Sequence, residues 1–205
     1  ATEDFGAAKL LGLRMQHPEQ YEAVESVLSL SEWIAWIFTG RKVMEYTQAC
    51  ESQLYDIGQR SWSQTLCSFY GLRPEFLPPL QAAGTVVVDL PDPEPVGAAG
   101  AAGVLASCGF LEAVSIGVVE NRGKEVVGGA DTQIALLQTG IRPGGIAVVS
   151  GTTSPVVAEL EQLFYDPAQR VWTDAGLGAE SYQVEMNPGV TGLNYQRVKD
   201  RLCAD

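Results

Sequence analysis

The sequence predicts an α/β protein. Three observations carry that expectation: a helix-patterned stretch over residues 5–72, short β-branched runs alternating with helical pattern from Thr85 onward, and an ordinary globular composition. Of 205 residues, 46% are apolar and 19% charged, enough apolar surface for a core without disulfides and too little charge for a disordered chain. One or two compact units are expected at this length.

In the first stretch, Pro18 opens a segment with Tyr21, Val24 and Leu28 at helical spacing. Ser29 and Glu32 form an S-x-x-E capping box ahead of Trp33, Ile34 and Ile37, and Thr39-Gly40 ends that helix. Ser61 or Ser63 is the expected cap of a further helix through Leu66 and Phe69, stopping at Gly71. Pro74, Pro78 and Pro79 predict an irregular connector, because proline supplies no N–H to a regular element. Strands are then expected at Val86–Val88, Val114–Val119 and Ile146–Val149, with a helix over Thr132–Leu137 before the last. Residues 181–186 alternate Tyr182, Val184 and Met186 with Ser181, Gln183 and Glu185, the period of a strand with one wet face. Leu193, Tyr195, Val198 and Leu202 predict a closing helix with an apolar side.

Charge and rare residues exclude several function classes. Thirteen basic against 25 acidic residues leave a net charge of −12, which repels a polyphosphate backbone, so no nucleic-acid partner is expected. The longest uncharged run, Val96 to Leu111, is rich in Gly and Ala and shorter than the roughly 20 residues of a span, so no membrane partner is expected. The opening Ala-Thr-Glu-Asp carries no basic region ahead of an apolar one, and no secretory signal is expected. Cys50, Cys67, Cys108 and Cys203 form no C-x-x-C pair and are expected as unbridged thiols, which predicts a cytoplasmic location. His17 is the single histidine and lies in a Gln-His-Pro turn, which removes Ser-His-Asp triads and H-E-x-x-H zinc sites.

Glycine clusters invite comparison with phosphate loops. Gly123-Lys124 fails as a Walker loop, since Val118 stands where glycine is required and Glu125 where Ser or Thr is required. The run Gly97, Gly100, Gly103 is spaced G-x-x-G-x-x-G, which is not the dinucleotide pattern, and reads as a small-residue helix or loop. More informative is Val126-Val127-Gly128-Gly129-Ala130-Asp131-Thr132, an apolar strand passing through two glycines into an acid at a helix start. Asp131 suits a helix N-cap and suits a general base, and the two roles are compatible. Farther on, Ile146 to Ser150 delivers Gly151-Thr152-Thr153-Ser154, a turn whose amides and hydroxyls suit phosphate oxygens as well as a simple ST-turn.

Taken together these stretches resemble the FGGY carbohydrate kinases. The resemblance rests on Leu30 to Gly40, on Glu45-Tyr46-Thr47-Gln48-Ala49-Cys50 with Leu54-Tyr55-Asp56 and Trp62, on Gly128 to Asp131, on Gly151-Thr152-Thr153, and on Glu185 to Asp200 with Gly189-Val190-Thr191-Gly192 and Gln196, all in matching order. It implies a partial actin-like (ribonuclease H-like) ATPase fold: residues 1–140 as the end of the N-terminal, sugar-binding domain and 141–205 as the beginning of the C-terminal, nucleotide-binding domain. It implies ATP-dependent phosphorylation of a sugar or polyol, with ATP and Mg2+ as cofactors and no resident metal site. Asp131 would be the catalytic base, with Asp131 and Thr132 beside the substrate. Gly151, Thr152 and Thr153 would meet the nucleotide phosphates, and Gly192 and Gln196 would lie farther along the ATP site. A carboxylate beside a hydroxyl can take its proton as phosphate is transferred in line, so the chemistry needs no histidine.

The pattern departs from the family in two respects. Neither a D-x-G-T phosphate loop nor a glycine-rich adenosine motif is present, and Pro91 to Glu125 is longer than the family's usual connector and unlike it. The chain is therefore expected to be the middle of a kinase, inactive alone. The alternative is a non-catalytic remnant that binds a carbohydrate or a protein. A small-molecule sugar or polyol is the expected partner, with a homodimer left open. A hydrolase fits less well, because nothing gathers metal-binding acids or activates a nucleophile.

Overall fold

In the computed structural model, residues 5–89, 124–126, 129–151, 153–176, 178 and 180–203 are described. The chain divides into two compact units, Ala1–Ala130 and Asp131–Asp205. The expected strand Val114–Val119, Cys108, Gly128 and Thr152 lie outside the described residues.

The first unit is mainly helical. Helix α1 (Gly6–Gln16) is separated from α2 (Pro18–Glu22) by His17, and Pro18 occupies the first helical position, where its missing N–H costs nothing. Helix α3 (Leu30–Thr39) ends at Gly40, whose φ of 69° is the left-handed conformation that stops a helix cheaply only at glycine. Strand β1 (Met44–Glu45) runs straight into α4 (Tyr46–Cys50), and β2 (Tyr55–Asp56) pairs antiparallel with β3 (Ser61–Trp62). Helix α5 (Gln64–Tyr70) is capped by Ser63, whose hydroxyl accepts the Leu66 N–H at 3.2 Å; Ser61 lies in β3. A 3-10 turn (Pro74–Phe76) follows, so Pro74 begins a short regular element rather than interrupting one. Strand β4 (Leu80–Gln81) then pairs parallel with β1, setting Glu45 opposite Gln81.

Apolar spacing in these helices builds one core: Ala7 and Leu10 of α1, Tyr21 of α2, Cys67 of α5, and Leu54, Leu72 and Phe76. Tyr21 meets Phe76 edge-to-face at 5.8 Å, and its hydroxyl accepts the Arg73 N–H at 2.9 Å. The Trp62 indole N–H donates to the Pro78 carbonyl at 2.7 Å, which ties the proline connector to the β2–β3 pair. The unit closes with β5 (Val86–Asp89) antiparallel to β6 (Lys124–Val126).

In the second unit, α6 (Asp131–Thr139) precedes an antiparallel sheet of β7 (Ile146–Val148), β8 (Val156–Leu160), β9 (Trp172–Ala175) and β10 (Tyr182–Met186), ordered β7-β8-β10-β9, and α7 (Thr191–Leu202) follows. The expected alternation in β10 is present, but its faces are reversed. Gln183 is 3% exposed and donates from Nε2 to Oε2 of Glu159, itself buried, at 2.8 Å across the sheet. The opposite face carries Ile146, Val148 and Met186, exposed by 71%, 61% and 51% and placed together by the register Val148–Val156–Met186. One amide–carboxylate bond joins the pair in the interior while Gln183 Oε1 stays buried without a partner among the described residues, and hydropathy alternation registers neither.

Candidate functional site

Asp131 is the first residue of α6 and is exposed. Its Oδ1 accepts the N–H of Thr132 at 2.7 Å and lies 3.4 Å from the Thr132 hydroxyl. A capping carboxylate would instead take an amide two or three residues on, so this side chain serves its neighbour's amide and otherwise faces outward.

The residue before it is held differently. The Ala130 N–H donates at 2.8 Å to the hydroxyl oxygen of Thr47, a residue 2% exposed. The Thr47 hydroxyl in turn donates to Glu45 Oε2 at 2.5 Å, and the same oxygen accepts the N–H groups of Thr47 at 2.7 Å and Gln48 at 3.3 Å. Glu45 is thus the N-cap of α4 while being only 1% exposed. Its own N–H donates to Oε1 of Glu32 at 3.3 Å, and its Oε1 is buried with no hydrogen-bond partner among the described residues.

Glu32 corrects the expected capping box. Ser29 is the N-cap of α3, but its hydroxyl bonds the Glu32 carboxylate and Ser31 rather than a helical amide. The Glu32 carboxylate is turned inward to the β1 backbone and so does not reach back to the Ser29 amide. Burial pushes the Glu32 carboxyl up from 4.5 to about 7, opposed by the Glu45 N–H and reinforced by the nearby Glu45 charge. Burial also raises Glu45, against the lowering effect of the Thr47 hydroxyl and backbone donors.

In the second unit, the turn after β7 is closed by the Gly151 N–H donating to the Thr153 carbonyl at 2.9 Å. The Thr191 hydroxyl meets the Ser154 hydroxyl at 2.5 Å, fastening this turn to the first residue of α7. Gly151, Thr153 and Gly192 therefore belong to one connected region, the turn and the opening of α7. Gln196 lies farther along the helix, exposed, with Nε2 donating to Asp200 Oδ1 at 2.6 Å. Among the described residues no hydrogen bond links Asp131 or Thr132 to this turn. In the sequence Glu32, Glu45 and Thr47 stand only as parts of motifs, and the Glu45–Thr47 spacing marks the cap of α4 but not the contact with Ala130.

The arrangement has known counterparts. The chain is similar to the xylulose kinase of Rhodospirillum rubrum, with a TM-score of 0.79 and 20% identity, covering 100% of this chain and 38% of that one. It is similar to the glycerol kinase of Plasmodium falciparum solved with ADP, with a TM-score of 0.72 and 16% identity, covering 95% of this chain and 37% of that one. These likenesses define the class as part of an actin-like ATPase fold, as the resemblance in sequence implied. The N-terminal domain of the FGGY family of carbohydrate kinases matches residues 2–111, and the chain belongs to that family. Among relatives, YoaC of Bacillus subtilis (strain 168), which carries a provisional sugar-kinase name, is 35% identical over 198 residues, 97% of this chain and 37% of that protein. The autoinducer-2 kinase of Escherichia coli (strain K12) is 26% identical over 203 residues, 96% of this chain and 34% of that protein. The chain thus spans about a third of the length of these curated relatives.

The buried carboxylates predict how stability follows pH. Glu32 in the folded chain binds its proton more tightly than in the unfolded chain, so between its ordinary value of 4.5 and about 7 the native state holds more protons. Stability therefore falls as pH rises through that window and levels off above it, by at most about 3 kcal/mol from this group. Thermal unfolding between pH 5 and 8 should show this decline, and Glu32→Gln should lessen it, leaving the part that the raised Glu45 contributes in the same direction. Equal slopes in wild type and variant would show Glu32 to be ordinarily ionised.

Proposed function

We propose that this chain is the central part of an ATP-dependent carbohydrate kinase that phosphorylates a hydroxyl of a sugar or polyol. The observation that carries the reading is family membership through residues 2–111, supported by a carboxylate at the opening of α6 that faces outward from a fixed backbone position. In this reading residues 1–140 complete the sugar-binding domain and residues 141–205 begin the nucleotide-binding domain.

Asp131 is the proposed base. The substrate hydroxyl gives its proton to the Asp131 carboxylate as its oxygen forms the bond to phosphorus, and the bond from that phosphorus to the departing ADP oxygen breaks with its electron pair leaving on ADP. Thr132 fixes Asp131 Oδ1 through its amide, which leaves Oδ2 to accept the proton. Bound ATP with Mg2+ would supply the phosphoryl group and shield its charge.

The donors of the second unit fit phosphate oxygens. Thr153, Ser154 and Thr191 bring hydroxyls to the turn and to the start of α7, a 12-residue helix whose N-terminal dipole favours an anion. Gly151, Thr152 and Thr153 are assigned to the phosphates, and Gly192 and Gln196 to the more distant part of the nucleotide. Mg2+ keeps most of its ligands as water and phosphate oxygen, so it demands few carboxylates of the chain. A cytoplasmic location is part of this reading. Among the described residues no helix is long and apolar enough to cross a membrane.

In the complete kinase that this reading implies, Asp131→Asn should lower turnover by about 100-fold or more, the scale of a lost general base, with sugar affinity retained. Steady-state phosphorylation with a parallel sugar-binding titration measures both. Near-normal turnover would reduce Asp131 to a structural residue, and sugar binding without turnover in the wild type would favour a non-catalytic binding module.

A further inference from the structure

We infer that Thr47 is a positioning residue for Asp131, its hydroxyl aligned by Glu45 so as to pin the Ala130 amide from which the Asp131 backbone continues. The inference rests on the proposed role of Asp131 and adds the group that would hold it in place.

The argument begins with what one hydroxyl can do. Threonine offers one O–H donor and two acceptor lone pairs. At Thr47 the donor is committed to Glu45 Oε2 at 2.5 Å, and the same carboxylate oxygen takes the Thr47 amide at 2.7 Å, so both ends of the residue are tied to one acceptor. With its hydrogen so directed, Oγ1 presents lone pairs to another donor, and the Ala130 N–H occupies that place at 2.8 Å. Thr47 and Glu45 are 2% and 1% exposed, so water does not compete for these bonds.

The bond joins positions 83 apart in sequence, and nothing local in Glu45-Tyr46-Thr47 requires it. Helix α4 is already capped by Glu45 through the amides of Thr47 and Gln48. The hydroxyl contact to Ala130 is therefore additional to what the helix needs. The Ala130 N–H lies in the Gly129–Ala130 peptide plane, so the bond fixes that plane as far as the Ala130 Cα, and only the φ and ψ of Ala130 intervene before the Asp131 amide. A base must sit within hydrogen-bond reach of the proton it takes, and a displacement of about 1 Å can cost about 100-fold in rate.

Three measurements test this. In the wild-type chain, the Ala130 amide should be protected from hydrogen exchange; exchange at the rate of an open peptide overturns the inference whether or not any variant folds. In Thr47→Val, which keeps the shape and removes the hydroxyl, that protection should fall by about 10-fold, the scale of one ordinary hydrogen bond, while Thr47→Ser should retain it. In the complete kinase, Thr47→Val should lose about 10- to 100-fold in kcat with the KM for ATP within about twofold of wild type, and Thr47→Ser should restore turnover. Unchanged kcat in Thr47→Val, with wild-type turnover present, overturns the positioning role and leaves the kinase reading standing. Absence of turnover in the wild-type kinase overturns the kinase reading and the positioning role together.

Discussion

A single buried carboxylate organises the first unit. Glu45 Oε2 receives three donors, two of them amides of α4 and the third the Thr47 hydroxyl, while the Glu45 amide is held by Glu32 of α3. Removing a carboxylate from water costs several kcal/mol, and charge-assisted bonds to backbone amides offset part of that cost. The remainder shows as raised proton affinity at both acids. What the arrangement provides is connection: α3, β1, α4 and Ala130 share one chain of polar contacts beside the apolar core of Tyr21, Leu54 and Phe76.

Much of the architecture was legible in the sequence because it depends on local chemistry. Gly40 and Gly71 end helices in the left-handed conformation that glycine adopts easily, and Ser63 caps the helix it precedes. The β-branched runs at Val86 and Ile146 form strands, and the acid at 131 opens a helix. The motif order pointed to the family, which the match over residues 2–111 bears out.

Two unread features are local: α2 ends at Glu22, short of the helical spacing to Leu28, and β2 pairs with β3 inside the helix-patterned stretch; the others depend on partners remote in sequence. Ser29 and Glu32 have the spacing of a capping box, yet Glu32 is drawn inward by the Glu45 amide, 13 residues on. Gln183 reads as a solvent-facing position until Glu159, 24 residues earlier, is set against it by strand register. Thr47 has no local signature of its role, because its acceptor function is defined by Ala130. The apolar face of the second sheet, with Ile146, Val148 and Met186, is likewise a matter of what the strands are placed against. Periodicity states which residues share a face and leaves open which face is covered.

The proposal that this segment serves phosphoryl transfer from ATP to a carbohydrate hydroxyl is tested most directly by product analysis on the complete protein. Incubation with ATP, Mg2+ and a panel of sugars and polyols should yield ADP and a phosphorylated carbohydrate in equal amounts for at least one member of the panel. ADP formed without a phosphorylated carbohydrate, or no ADP with any member, would contradict the account.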